Sequence, residues 1–152
     1  MTTRLATSIL ACALGVLLWQ PAAAQDMLLR DLAQKSPRKL SKDEVTQLMT
    51  GAKLSRVSGR GNLHIWTNEP GGSFVVSSDN VGAGMTRGAG KGSTASGKWH
   101  ISDDGRYCFL VEWRSLPTEQ WCRLVFEASD GYYTATSDST DAERVYKLEI
   151  KK

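Results

Sequence analysis

Apolar and polar positions change their spacing once along this chain, and the change marks its architecture. Between Leu40 and Gly51 the apolar residues Val45, Leu48 and Met49 recur at helical spacing. Ser41 with Glu44 three residues later forms a capping-box pattern, and Leu40 and Val45 are placed as a hydrophobic staple across it. Gly51 stands where a left-handed residue ends a helix. The pattern predicts a helix from Lys42 to Thr50 that covers one end of a sheet. Before it, Met27, Leu28, Leu29 and Leu32 could form one side of a short helix ending at Ser36-Pro37, or belong to a tether.

After Gly51 the period becomes two. Strands are predicted at 52–57, at Leu63–Thr67 and at Ser73–Ser78, with Gly59-Arg60-Gly61 and Asn68-Glu69-Pro70-Gly71-Gly72 as turns. Residues 80–97 carry six glycines and few apolar residues, which reads as a mobile loop with room for a short strand near Met85. Strands resume at Gly97–Ser102, Arg106–Arg114, Glu119 or Gln120 to Glu127, and Tyr132–Thr136. A last one alternates Tyr146, Leu148 and Ile150 with Lys147 and Glu149. The fold class is mainly β: one capped helix followed by about eight antiparallel strands in a small barrel or strongly curved sheet. Closure would hide the sheet edges.

Within Arg106–Arg114, Tyr107, Phe109, Val111 and Trp113 share one face, and Cys108, Leu110 and Glu112 the other. The first face is the more apolar and is expected to pack inward. On the partner strand Trp121, Arg123 and Val125 oppose Cys122, Leu124 and Phe126. Pairing Cys108 with Cys122 centres the hairpin on Ser115 and sets the two Cys opposite each other.

The N-terminus changes the picture. Arg4, the apolar run from Ile9 to Trp19, and Ala22-Ala23-Ala24 form the three parts of a secretory signal peptide, with cleavage after Ala24. That divides the chain into a signal peptide at 1–24, a leader or tether at 25–39 and a single β-rich domain at 40–152. An uncleaved anchor is the alternative, although the apolar run is short for a bilayer span. Ile9-Leu10-Ala11-Cys12 also looks like an acylation site, but more apolar residues and an ordinary cleavage site follow it. The implied location is periplasmic or secreted. Cleavage removes Cys12, and two Cys in an exported chain most simply form one disulfide, Cys108 with Cys122.

The whole chain carries 19 Lys and Arg against 16 Asp and Glu, a net charge of +3, which falls to +2 without Arg4. So mild a balance argues against nucleic acid as a partner. No integral membrane segment is expected after cleavage, and the chain is expected to be a monomer.

Candidate chemistry is sparse. Gly88-Ala89-Gly90-Lys91-Gly92-Ser93-Thr94 invites a phosphate-loop reading, but Gly92 stands where Ser or Thr should follow the lysine. His64 and His100 lack metal-ligand spacing, and Asp103-Asp104-Gly105 reads as a turn. No catalytic residue, metal or cofactor is assigned. Trp66, Trp99, Trp113, Trp121 and Tyr133 are the candidate ligand-facing aromatics, and Arg87 and Lys91 mark a candidate interaction loop. The expected function is non-enzymatic binding of a small ligand, a glycan or a protein. The alternatives are inhibition of an extracellular hydrolase through the loop at 82–97, and a weak enzyme using His100 with Asp103 or Asp104.

The motifs Leu40-Ser41-x-x-Glu44-x-x-x-Leu48-x-x-Gly51, Gly97-x-Trp99, Asp104-Gly105-x-x-Cys108, Trp121-Cys122 and Asp130-Gly131-Tyr132-Tyr133 resemble the small exported bacterial proteins of domain of unknown function 995. The resemblance spans roughly residues 40–150 and implies a periplasmic or secreted bacterial protein. Its motifs are structural, and it brings no catalytic residues. The glycine-rich stretch at 82–97 is longer than that family's usual pattern.

Overall fold

A computed structural model describes residues 27–80, 92–114 and 116–152. The expected signal peptide, Arg87, Lys91 and Ser115 lie outside the described residues. The elements are β1 (Met27–Leu28), α1 (Leu29–Leu32), a 3-10 turn (Ala33–Lys35), β2 (Arg38–Lys39), α2 (Lys42–Met49), β3 (Lys53–Val57), β4 (Leu63–Thr67) and β5 (Ser73–Ser78). They continue with β6 (Ser93–Ile101), β7 (Tyr107–Glu112), β8 (Glu119–Ala128), β9 (Gly131–Ala135) and β10 (Arg144–Lys151).

Strands β3 to β10 pair antiparallel with their neighbours in sequence. The last, β10, pairs back onto β3, which closes an eight-stranded barrel. Closure depends on two long strands that each change partner. The first half of β8 pairs with β7 through Glu119–Arg123, and its second half with β9 through Leu124–Ala128. Likewise β10 uses 145–148 for β9 and 149–151 for β3. The short strands β2 and β1 pair with β8 and β10 beyond β7 and β3, so little of either long strand is left without a partner.

The helix forms where local chemistry asks for it. The Ser41 hydroxyl accepts from the Glu44 amide, and the Glu44 carboxylate accepts from the Ser41 amide at 2.8 Å. The Ser41 amide first, then Arg38 and the Ser41 hydroxyl, which donates to the carboxylate at 2.9 Å, hold the Glu44 carboxyl down at about 2. Gly51 takes φ +70° just past the helix. Leu40, Val45 and Met49 are buried and pack with Leu54, Trp66, Tyr107 and Leu148, so α2 plugs one end of the barrel.

Strands alternate in direction, so that plugged end holds the start of β3, the end of β4, the start of β5 and the end of β6. Its layer contains Leu54, Trp66, Phe74, Trp99 and Tyr107. A buried polar chain ties helix to barrel. Trp66 Nε1 donates to Tyr107 Oη at 3.1 Å, Tyr107 Oη donates to Asn68 Oδ1 at 3.0 Å, and Asn68 Nδ2 donates to the Met49 carbonyl at 3.1 Å. Burial pushes the Tyr107 hydroxyl well above its ordinary pKa. Tyr107→Phe removes the acceptor of one buried group and the donor of another. The expected loss is about 2 kcal/mol in urea unfolding, and an unchanged midpoint would show that the hydroxyl ties nothing.

Residues 27–39, expected as a leader or tether, pack on the outside of the barrel. Leu32 is fully buried among Leu124, Phe126, Tyr133, Ala135 and Val145, with Met27 and Leu29 beside it. This second core explains the run Leu124-Val125-Phe126: both faces of β8 are covered there, so the two-residue alternation is lost. The glycine-rich stretch is shorter than expected at its C-terminal end. Ser93 to Gly97 belong to β6, paired with β5 from Ser78 to Phe74.

Tyr107, Phe109 and Val111 face inward as expected, and Trp113 packs against the same core. Cys108 opposes Cys122 in the ladder, and the two form the disulfide.

Candidate functional site

Among the described residues, nothing fills the end of the barrel opposite α2. That end is formed by the end of β3, the start of β4, the end of β5, the start of β6 and the hairpin between β7 and β8. These surround a cavity of about 440 Å³. Trp113, Trp121 and Tyr146 supply aromatic wall, Leu116 and Pro117 part of the rim, and Ser78 and Ser93 two hydroxyls.

Two arginines set its electrostatics. Arg56 follows Leu54 on the inward face of β3 and is only 6% exposed. Its Nη2 donates to the Glu119 carboxylate, which also accepts from Trp121 Nε1 at 3.1 Å. Arg123 sits on β8 two residues from Trp121. Its guanidinium carbon lies 4.6 Å from the Trp121 ring centre and 4.0 Å from that of Tyr146, a stack on two aromatic faces. Arg56 also approaches Trp121, at 5.4 Å. Burial, and then the like charge of Arg123, bring Arg56 down to about 10. Burial also lowers Arg123, against the favourable pull of Tyr146 and Glu143. Both stay cationic at neutral pH. Three of their buried nitrogens have no hydrogen-bond partner among the described residues: Arg56 Nε, Arg123 Nε and Arg123 Nη1.

His64 sits beside them, 5% exposed, its ring 5.3 Å from that of Trp113 and its Nδ1 unpartnered. Burial first, and then the Arg56 charge, lower it to about 4, with Asp79 opposing. An unfolded histidine titrates near ~6.5. Between those values the unfolded chain binds the proton and the folded chain does not. Stability present above the unfolded value is therefore lost as pH falls towards the folded one. The expected loss between pH 7 and pH 4.5 is on the order of 2 kcal/mol, after discounting for screening at the open end. His64→Gln should flatten the urea-midpoint profile by that amount, and a profile parallel to wild type would sink the assignment.

Of the five aromatics singled out in the sequence, Trp113 and Trp121 line this cavity. Trp66 and Trp99 are buried at the plugged end, where Trp99 Nε1 donates to the Glu69 carbonyl at 2.9 Å. Tyr133 lies on the outer wall in the second core, its hydroxyl bonded to Asp130 at 2.9 Å and to Lys35 at 3.0 Å. His100 is exposed on the outer wall opposite Cys108, while Asp103 pairs with Lys42, and Asp104 with Ser102 and Arg106. Arg56 and Arg123 are the residues sequence reasoning passed over. Their signal was present: each is a charge on the same strand face as apolar residues, Leu54 for one, Trp121 and Val125 for the other.

Among the described residues, no group of three or more His, Cys, Asp or Glu is arranged to hold a metal ion, and no helix is long and apolar enough to cross a membrane.

A family model described as "Protein of unknown function (DUF995)" matches residues 20–122, from ahead of β1 into the first half of β8. No curated protein and no solved structure matched the chain.

Proposed function

This chain belongs to the DUF995 family of proteins of unknown function, and on that premise we propose that it is an exported, non-catalytic binding protein that takes one small molecule into the open end of its barrel. One observation carries the reading: the barrel is plugged by α2 at one end and hollow at the other, with aromatic walls around about 440 Å³. That volume lies within the roughly 300–1,000 Å³ usual for small-molecule sites. An eight-stranded barrel is wide enough to hold one such ligand. The export part rests on the N-terminal pattern of a basic start, an apolar run and Ala22-Ala23-Ala24, and agrees with a disulfide in the barrel wall.

The positions of the tryptophans provide the test. Trp113 and Trp121 line the cup, whereas Trp66 and Trp99 lie at the other end. Titration with the neutral dye N-phenyl-1-naphthylamine should quench tryptophan emission saturably. Trp113→Phe with Trp121→Phe should remove most of that quenching, and Trp99→Phe should leave it. Absence of saturable binding, or quenching that survives in the double variant, would overturn the reading.

A further inference from the structure

The charge inside the cup is not balanced by the protein. Arg56 and Arg123 are close enough for each to oppose the other's charge, and among the described residues Glu119 is the only carboxylate lining the cavity with them. Glu119 pairs with Arg56. Glu143 acts on Arg123 at longer range and makes no ion pair with it. Exposed Arg60 at the rim is screened by solvent, and below it two guanidinium charges and one carboxylate leave one positive charge. It sits where aromatic rings have replaced water, with Arg123 Nε and Nη1 unpartnered. Arg123 as a whole is half-buried, and a charge whose nitrogens are withdrawn from water without a partner is unfavourable. A guanidinium cannot escape that cost by losing its proton at neutral pH. The stack between Trp121 and Tyr146 holds the Arg123 plane in place, so an anion finds donors already oriented.

We infer that the cup takes an organic monoanion, a carboxylic acid in its ionised form, with the carboxylate against Arg123 and Arg56 and the apolar body along Trp113 towards Leu116. The single unbalanced charge suits a carboxylate better than a phosphate monoester, which carries about −1.5 to −2 at neutral pH. Guanidinium groups match carboxylate geometry and form the stronger, charge-assisted hydrogen bonds. Exposed Arg60 at the rim adds attraction on approach. The inference rests on the small-molecule reading of the same cavity and adds the ligand's charge.

Octanoate and 1-octanol, which share a chain and differ in charge, make the test. Each is titrated against the bound neutral dye in the purified protein, with inorganic phosphate as a third competitor. Octanoate should displace the dye at least tenfold more tightly than octanol, and phosphate should displace it weakly. Arg123→Met keeps an unbranched stem beside the two rings and removes the charge. It should weaken octanoate at least tenfold and leave octanol unchanged. Without ligand this variant should melt no lower than wild type, because a half-buried charge without an ion-pair partner has gone. Equal affinity for octanol and octanoate would overturn the anion assignment while leaving the small-molecule reading intact. Failure of the dye itself to bind would overturn both. Phosphate competing as well as octanoate would overturn the organic-acid class, and a clear fall in the melting temperature of Arg123→Met would make Arg123 a structural prop instead.

Discussion

Gly97→Ala is expected to lower stability by about 3 kcal/mol, at the upper end for an overpacked core. Gly97 lies on β6 directly opposite Phe74 of β5. A Cβ at this position would fall inside the Phe74 ring edge and 2.7 Å from the Leu110 carbonyl oxygen. Neither neighbour can give way cheaply. The Leu110 oxygen belongs to the backbone of the next strand. Phe74 is 2% exposed and stacks on Phe109 at 4.7 Å, with Trp66 on another side at 6.2 Å. The glycine is what allows the ring to lie flat on the sheet at the plugged end. Gly71→Ala is the control, because a Cβ there meets nothing within 4 Å; it should stay within roughly 0.5 kcal/mol of wild type. Urea unfolding of the two variants decides the matter. Equal midpoints would mean that the core at Phe74 yields more readily than its packing indicates. Adding Phe74→Leu to Gly97→Ala should recover part of the loss, since it removes the ring the new methyl meets.

Cys108→Ala with Cys122→Ala should cost about the same, near 3 kcal/mol in the chain-entropy account of a loop this short. The bond joins residues 14 apart in sequence across the β7–β8 ladder. Its loss leaves the ladder's hydrogen bonds in place, so the fold should persist with a lower melting temperature. A reducing agent should lower the wild-type melting temperature to that of the double variant and leave the variant's own unchanged. Finding both thiols free in the purified protein would remove the basis for the prediction. The same hairpin carries Trp113, Trp121 and Arg123 into the cup. Loosening it should therefore weaken dye binding as well as stability, which links the cross-link to the candidate site.

Much of the scaffold was legible in the order of residues. The capping box at Ser41 and Glu44 and the left-handed Gly51 are local devices, readable because each acts on neighbours within one turn. The strands and the pairing of Cys108 with Cys122 were legible because alternation of faces and a centred hairpin set the register. The start of β6 was not. Ser93 to Gly97 are small residues with little apolar signal, and they pair because β5 offers an edge. Tyr133 looked ligand-facing by type, and its burial under α1 is visible only once the N-terminal segment is seen docked on β8, β9 and β10. In β4, Leu63, Ile65 and Thr67 alternate with His64 and Trp66, and alternation alone names neither set as the inner one. Yet His64 and Trp66 are the buried ones, at 5% and 2% exposure.

That last case shows where each kind of information stops. Alternation states that a strand has two faces, but which face is enclosed depends on how the sheet closes, through contacts between β10 and β3 far apart in sequence. The sequence by itself determined the capped helix, most of the strands and the cross-linked hairpin, because those follow from backbone geometry and short-range bonding. Only the tertiary structure decided that α2 fills one end of the barrel while, among the described residues, a cavity remains at the other. Only it placed Arg56 and Arg123 together among aromatic rings with one carboxylate paired to Arg56, because the desolvation that makes those charges matter exists only once the barrel has closed.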